Sequence, residues 1–262
     1  MLSERQIQID GVSWSVCGPE DCHYFANLPD SFKEFSDLRR LLGRNEIVPA
    51  QVIDVGANIG LFTLWASQAF PDAKLVAVEP NPSVYEALAV NTGTLGDRTS
   101  TIQKAVGERP GSELFRPGGP INPARTAGAH FVSEAETSSA SDVSVSLMTL
   151  DSIAGPSGDT LVKIDVEGFE LEVLRGGADL ISRPTTLVFM EFNAWCLIGL
   201  RRMNPHDLLD HVMNVFTFVY VVRPGEPLRL IKSKEDILSF LHDHLINHGC
   251  VDDLLLSHSR MA

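Results

Sequence analysis

The clearest apolar and polar patterning in the chain runs from residue 51 to residue 79. Val52, Ile53 and Val55 form a short apolar run, which predicts a strand buried on both faces, as in a parallel sheet. The run stops at Gly56. Leu61, Leu64, Trp65 and Gln68 then recur at helical spacing until Pro71 breaks the pattern. A second strand reads from Lys74 to Glu79, and Pro80-Asn81-Pro82 opens a helix through Tyr85, Leu88 and Val90. Thr101 to Ala105 reads as a third strand. Leu161, Val162 and Ile164 make a fourth that ends at Asp165, followed by a helix through Phe169, Leu171, Val173 and Leu174. Leu187 to Phe192 makes a fifth, and a later helix carries Leu208, Leu209 and Val212. Strands alternating with helices over short loops predict right-handed βαβ units and a parallel sheet.

The flanks are less regular. Residues 1–45 read as a lead-in, strand-rich around Val12, Trp14 and Val16. In it, Asp30 or Ser31 caps a helix carrying Phe32, Phe35, Leu38, Leu41 and Leu42. This segment either packs on the main domain, residues 46–250, or closes over its ligand. Residues 107–142 are rich in Pro, Gly, Ser, Ala and Thr, with little periodicity beyond His130-Phe131-Val132. They read as a variable insertion, either a functional rim or a solvated stretch. Val143 to Leu147 is a candidate strand, with a short helix at Leu150 to Ile153. Val215–Val222 and Leu228–Ile231 flank Arg-Pro-Gly-Glu-Pro and predict an antiparallel pair at the sheet edge. Lys234 to Leu245 is a last helix, and 251–262 a loose tail.

At 262 residues, 44% hydrophobic and 21% charged, the chain fits one α/β domain with additions. A net charge of −13 argues against nucleic acid as a partner, since phosphate-backbone binding relies on Lys and Arg. Neither a signal-peptide pattern nor a membrane-length apolar stretch is visible, so the expected setting is cytoplasmic, without a membrane partner. Cys17, Cys22, Cys196 and Cys250 lack paired spacing, which disfavours a zinc site or a disulfide framework.

A strand that feeds a helix through glycines brings bare backbone and a helix N-terminus to a ligand, which favours an electron-rich group. The spacing narrows the choice. A dinucleotide fingerprint needs glycines where Asn58 and Leu61 stand, and a phosphate loop needs Gly-Lys-Ser/Thr where Gly60 is followed by Leu61 and Phe62. The observed string is Asp54-x-Gly56-x-x-x-Gly60, with Glu79 nineteen residues beyond Gly60. It resembles motif I of the class I S-adenosylmethionine-dependent methyltransferases. With Gly56-Ala57-Asn58-Ile59-Gly60, the Leu161-to-Gly177 string, Glu79-Pro80-Asn81, Glu191-Phe192-Asn193 and Thr149-Leu150-Asp151-Ser152, the chain is similar to FkbM-type methyltransferases over about residues 50–195. The resemblance implies a Rossmann-like class I methyltransferase fold, a mostly parallel doubly wound sheet with an antiparallel strand at the edge. It also implies S-adenosylmethionine as cofactor and O-methylation of a sugar or natural-product hydroxyl, a small-molecule or carbohydrate acceptor. Cofactor contacts are then expected at Asp54, Gly56, Ala57, Asn58, Gly60, Glu79, Asn81, Ala105 and Asp165.

In a 3-2-1-4-5 sheet the crevice lies between the first and fourth strands, so Asp54 and Gly56 face Asp165 and Glu167, with Glu191 next door. Crowded carboxylates repel unless a positive group sits among them, and a sulfonium or Lys163 supplies that charge. Asp165, Glu167 and Glu191 are the catalytic candidates. Asp165 is expected to touch the methionine part or the acceptor, while Glu167 and Glu191 are the candidate bases. Glu167 equally reads as a cap on the following helix, and Lys163 as a packing residue. The carboxylates also have the chemistry for a divalent cation, although no metal is expected. His130 reads as a base or as a solvated loop residue, His244 and His248 as surface residues, Trp195 as stacking or packing, and Tyr24 and Phe25 as core or cofactor mouth. Two other function classes compete: a nicotinamide-dependent oxidoreductase on a similar sheet, and a non-catalytic cofactor-binding module.

Overall fold

The chain opens with a hairpin of β1 (Leu2–Ile9) and β2 (Val12–Pro19) in a computed structural model that describes residues 1–262 apart from 21, 33, 34, 118–128, 133–135, 138 and 157. Asp10 and Gly11 turn the hairpin with φ of 50° and 85°, the left-handed pair that a two-residue turn demands. α1 (His23–Ala26) follows, then β3 (Ser31–Phe32) and α2 (Ser36–Arg44). The helix expected from Asp30 or Ser31 starts later because Ser31 and Phe32 pair in parallel with Gln8 and Ile9. Its buried face, Leu38, Leu41 and Leu42, is the expected one.

β4 (Gln51–Val55), α3 (Leu61–Ala69), β5 (Lys74–Val78) and α4 (Pro82–Thr92) come next, as the patterning predicts, whereas β6 (Thr99–Ile102) stops short of the expected Ala105, which belongs to a separate sheet. The lead-in docks on both helices. Gln68 accepts from Trp14 at 3.3 Å and donates to the Ile9 carbonyl at 3.0 Å, while the Asn91 amide brackets the Cys17 backbone at 2.7 and 2.9 Å.

Part of the segment read as an unpatterned insertion forms a sheet. β7 (Ala105–Val106), β8 (Gly111–Arg116), β9 (His130–Phe131) and β10 (Val143–Met148) pair in the order β7-β10-β8-β9. Phe115 and Phe131 anchor it, with Phe131 lying 4.1 Å from the Phe169 ring centroid. His130, read as a base or as solvated, is 2% exposed and hydrogen-bonded to Glu136. Residues 118–128 of that segment lie outside the described residues.

The remaining elements are β11 (Thr160–Ile164), α5 (Glu170–Arg175), α6 (Ala178–Ile181), β12 (Thr186–Asn193), α7 (Ala194–Gly199), α8 (Pro205–Val215), β13 (Phe218–Val222), β14 (Arg229–Ile231), α9 (Lys234–Asn247) and β15 (Val251–Ser257). The main sheet has the order β14-β13-β15-β12-β11-β4-β5-β6. From β6 to β12 the pairs are parallel, which is the expected 3-2-1-4-5 arrangement. The pair β13 and β14 sits at the edge, but β15 separates it from β12 and is antiparallel to both neighbours. The loose tail expected at 251–262 is therefore corrected: Leu254, Leu255 and Leu256 are fully buried in mid-sheet. Each such leucine contributes about 1.5–3 kcal/mol that an open tail forgoes.

Candidate active site

A cleft of about 890 Å³ opens at the carboxyl ends of β4, β5, β11 and β12, where strand order reverses in an open parallel sheet. Its first wall is the turn after β4. Gly56 has φ of +75°, and a Cβ there would lie 1.8 Å from the Asp165 carbonyl oxygen, so the turn and β11 touch backbone to backbone. Asn58 also takes a left-handed φ, 51°, which its short amide side chain tolerates. Part of the backbone expected to face a ligand in this turn is already engaged. The N–H groups of Gly56 and Ala57 both reach the Val78 carbonyl at 3.0 Å, and that of Asn58 reaches Glu79 at 2.9 Å.

Glu79, at the end of β5, is 6% exposed and lines the cleft. Its two oxygens accept from the backbone of Asn58 and of Asn81, at 2.9 and 2.8 Å. Burial pushes its carboxyl up to about 7 in spite of those two donors. Asn81 caps α4 by accepting from Ser83 and donates its amide to the Pro117 carbonyl, linking the main domain to the small sheet. Ala57 and Ala105 are buried residues of the same lining, and Gly60 caps α3.

Asp54 occupies a different place from the one its motif position suggests. It lies behind the turn rather than on the cleft surface, 1% exposed, accepting from the Thr63 hydroxyl at 2.6 Å. Burial raises its carboxyl against the opposing pull of Lys163 and Thr63. The Lys163 ammonium is the hub: it donates to the Gly56 carbonyl at 3.1 Å and stands 3.6 Å from Asp54 and 3.3 Å from Asp165. Burial disfavours its charge, but Asp165 and Asp54 more than offset that, so it is held protonated. Lys163 thus serves the site and not packing alone.

The facing wall brings the other expected residues together. Asp165, Glu167 and Glu191 all line the cleft. The Cys196 thiol donates to Glu167 at 2.9 Å, and the Asn193 amide donates to Glu191 at 3.1 Å. Burial, then the charge of Asp165, pushes Glu167 up to about 8. Glu191 is raised well above the usual carboxylate range by burial and by Asp165, Glu167 and Asp253. Glu167 is not the cap of the following helix: the N-cap of α5 is Phe169, without a side-chain cap bond, and the Glu170 carboxylate accepts from the Gly168 N–H at 3.0 Å just ahead of it. Glu167 has a φ of 56° and points its carboxyl at Cys196.

Several lining residues lack a local sequence signal. Asp253 comes from β15, register-paired with Glu191, and His248 and Gly249 come from the turn before it. Phe115 and Phe131 come from the small sheet. Tyr24 and Phe35 show that the lead-in both docks on the domain and borders the cleft, whereas Phe25 is core. His244, expected at the surface, is fully buried and bonds to Asp252 at 2.7 Å. Among the described residues no cluster of His, Cys, Asp and Glu is arranged to hold a metal ion. Among them, too, no helix is long and apolar enough to cross a membrane.

Comparison with known proteins supports the motif reading. A model of the methyltransferase FkbM domain matches residues 54–217, more than half of the chain. "Methyltransferase sdnD" of Sordaria araneosa is 32% identical over 155 residues, covering 48% of this chain and 59% of that protein. "Hexuronic acid methyltransferase AglP" of Haloferax volcanii is 30% identical over 149 residues, covering 54% of this chain and 55% of that protein. The chain thus spans little more than half the length of these curated relatives. Among solved structures, "Methyltransferase FkbM" from Methylobacillus flagellatus KT superposes with a TM-score of 0.47 at 13% identity, over 79% of this chain and 43% of that one.

Proposed function

This chain belongs to the FkbM methyltransferase family, and from that premise we propose that it methylates a hydroxyl group of a sugar or natural-product small molecule with S-adenosylmethionine. The observation that carries the reading is that Glu79 and the trio Asp165, Glu167 and Glu191 face one cleft across the glycine turn. Glu79 is suited to the ribose hydroxyls, because each of its oxygens keeps a lone pair after accepting one backbone N–H. Asp165 and the Gly56 turn suit the cationic amino-acid end. When bound, that cofactor supplies a methyl group already activated on a sulfonium.

The protein's own work is then positioning, exclusion of water and removal of a proton. Glu191 is the base best placed for the acceptor hydroxyl. Asn193 fixes its orientation, and its raised affinity for a proton makes it a stronger base than an ordinary carboxylate. Glu167 holds the Cys196 thiol and supports Glu191 by repulsion. Tyr24, Phe35 and Phe115 wall the cleft with rings, which suits a site that must keep water out. The hexuronic acid methyltransferase among the relatives supports a sugar-type acceptor. A small acceptor in the cytoplasm, with neither nucleic acid nor membrane as partner, goes with this reading, as does a net charge of −13.

Calorimetry with S-adenosylhomocysteine tests the assignment. The wild-type chain binds it, and Glu79→Ala and Glu79→Gln both weaken binding by more than about tenfold, a loss of at least ~1.4 kcal/mol. Unchanged affinity in both variants refutes the role of Glu79. Binding of NADH with no binding of S-adenosylhomocysteine refutes the cofactor.

A further inference from the structure

Beyond Glu191 the rim opens into a second hollow of about 330 Å³, walled by Val222, Arg223, Pro224 and Glu226. It is continuous with the cleft, since Glu191, His248, Val251 and Asp253 border both. Strand register explains the continuity. Glu191 pairs with Asp253 and Asp253 with Val222, so the three stand in line across β12, β15 and β13. Two strand spacings of about 4.8 Å place Val222 roughly 10 Å from Glu191. The glycine turn lies in the opposite direction, past β11 on β4. An acceptor whose hydroxyl meets Glu191, with the cofactor over β4 and β5, therefore extends over β15 and β13.

We propose that this hollow is a second acceptor subsite, which takes an uncharged, hydroxyl-rich unit, a further sugar ring joined to the one that is methylated. The proposal rests on the methyl-transfer reading for the direction of the acceptor. The lining chemistry selects the class. The charge of Arg223 is already matched, because it donates to both oxygens of Asp252 at 2.6 and 3.0 Å and to Asp243 at 2.6 Å. Glu191, Asp253 and the exposed Glu226 present carboxylate oxygens to hydroxyl donors, and the His248 ring, 30% exposed, adds a polar edge. Carboxylate acceptors beside an imidazole edge suit the hydroxyls of a polyol. A carboxylate-bearing unit meets like charge here, and Arg223, which lines the hollow, is already paired, so a uronic acid ring is disfavoured in this position.

The test uses NMR titration of the full chain, with and without S-adenosylhomocysteine, against methyl β-glucoside, methyl β-cellobioside and methyl β-cellobiouronide, in which the second ring is a glucuronic acid. The expected result is cellobioside binding about tenfold tighter than glucoside, shifts in the amide signals of Gly225 and Gly249, and cellobiouronide binding weaker than cellobioside. Pro224→Trp, which fills the hollow, brings cellobioside down to the level of glucoside, and binding of S-adenosylhomocysteine reports that the variant is folded. Equal affinity for one and two rings, preference for cellobiouronide over cellobioside, no saccharide binding, or an unaltered cellobioside affinity in the variant overturns the subsite. Preference for two rings in a wild-type chain that does not bind S-adenosylhomocysteine tells against the methyl-transfer reading and leaves the subsite standing.

Discussion

Two groups of charges share one rim of the sheet and have opposite characters. In the cleft, Asp165, Glu167 and Glu191 crowd together with Lys163 as the nearby cation, and Glu167 is driven up to about 8 and Glu191 well above its usual range, both chiefly by burial. One strand further along, Arg223 grips Asp252 and Asp243, and His244 completes the Asp252 shell. There, hydrogen bonds from Asn247 and Arg223 pull Asp243 down to about 2, and His244 and Arg223 hold Asp252 low against its burial. Asp252 and Asp253 are sequence neighbours, yet one joins each group, because successive side chains of a strand point to opposite faces. The paired group holds β13, α9 and β15 together. The crowded group costs stability, and such a cost is retained where a displaced proton affinity has work to do.

The sharpest way to break this comparison is to neutralise the crowded side. Glu191→Gln is expected to lower methyl transfer by about 10²–10⁴, the usual range for removal of a general base. Its unfolding free energy stays equal or rises, because one repelling group is gone. A rate within tenfold of wild type would move the base to Glu167. The paired side predicts the reverse. Arg223→Met removes the guanidinium from the buried Asp252, leaving it His244 alone, and is expected to cost about 3 kcal/mol, read as a lower denaturant midpoint. A midpoint equal to wild type would show that the network is ornamental.

How much of this was legible in the sequence follows from the same contrast. β4, β5, β11 and β12 are buried on both faces, so they appear as continuous apolar runs, and the motif residues lie at their ends. Glu79, Asp165, Glu167 and Glu191 were found in this way. Lys163 was noticed, but whether it packs or serves the site depends on the position of the Gly56 carbonyl, which no spacing gives. β15 reads as a tail because it opens Val251-Asp252-Asp253, and two acids in sequence suggest solvent until each has a partner face. Its Leu254-Leu255-Leu256 run was the available signal. The small sheet is hidden for another reason: β8 leaves Gly111 to Leu114 exposed, so only Phe115 marks a buried side. Asp54 fits the motif but lies behind the turn, since motif spacing fixes position along a strand and not which side of the turn a carboxylate takes.

A pH series separates the two groups by sign. Glu167 moves from 4.5 to about 8 in the folded chain, and Glu79 and Glu170 move to about 7. The folded state therefore binds more protons than the unfolded one between those values. Their contribution is complete below about pH 4.5 and is lost as pH rises through 7 to 8, at up to about 1.4 kcal/mol per unit for each group. Asp243, lowered to about 2 from 3.8, contributes above 3.8 and loses that contribution as pH falls towards 2. Chemical denaturation from pH 4 to 9 should show stability declining on the alkaline side. Glu167→Gln should flatten that limb and leave the acid limb unchanged. A variant whose alkaline limb matches wild type would mean that Glu167 carries no displaced proton affinity.

Salt gives the smallest and most selective effect. Raising ionic strength from 0.1 to 1 M shortens the screening length from about 10 to about 3 Å, which acts first on charges that solvent can reach. Asp165, with a side chain 36% exposed, stands at the open side of the crowded group, while Asp252 is 2% exposed inside the paired one. On the alkaline side, where the cleft carboxylates carry more charge than at neutrality, 1 M NaCl should therefore stabilise the wild type by about 0.5 kcal/mol more than Glu191→Gln. The paired network contributes equally to both proteins and cancels in the difference. Identical salt responses would mean that Lys163 alone balances the cleft, and the surplus of negative charge assigned to it would have to be withdrawn.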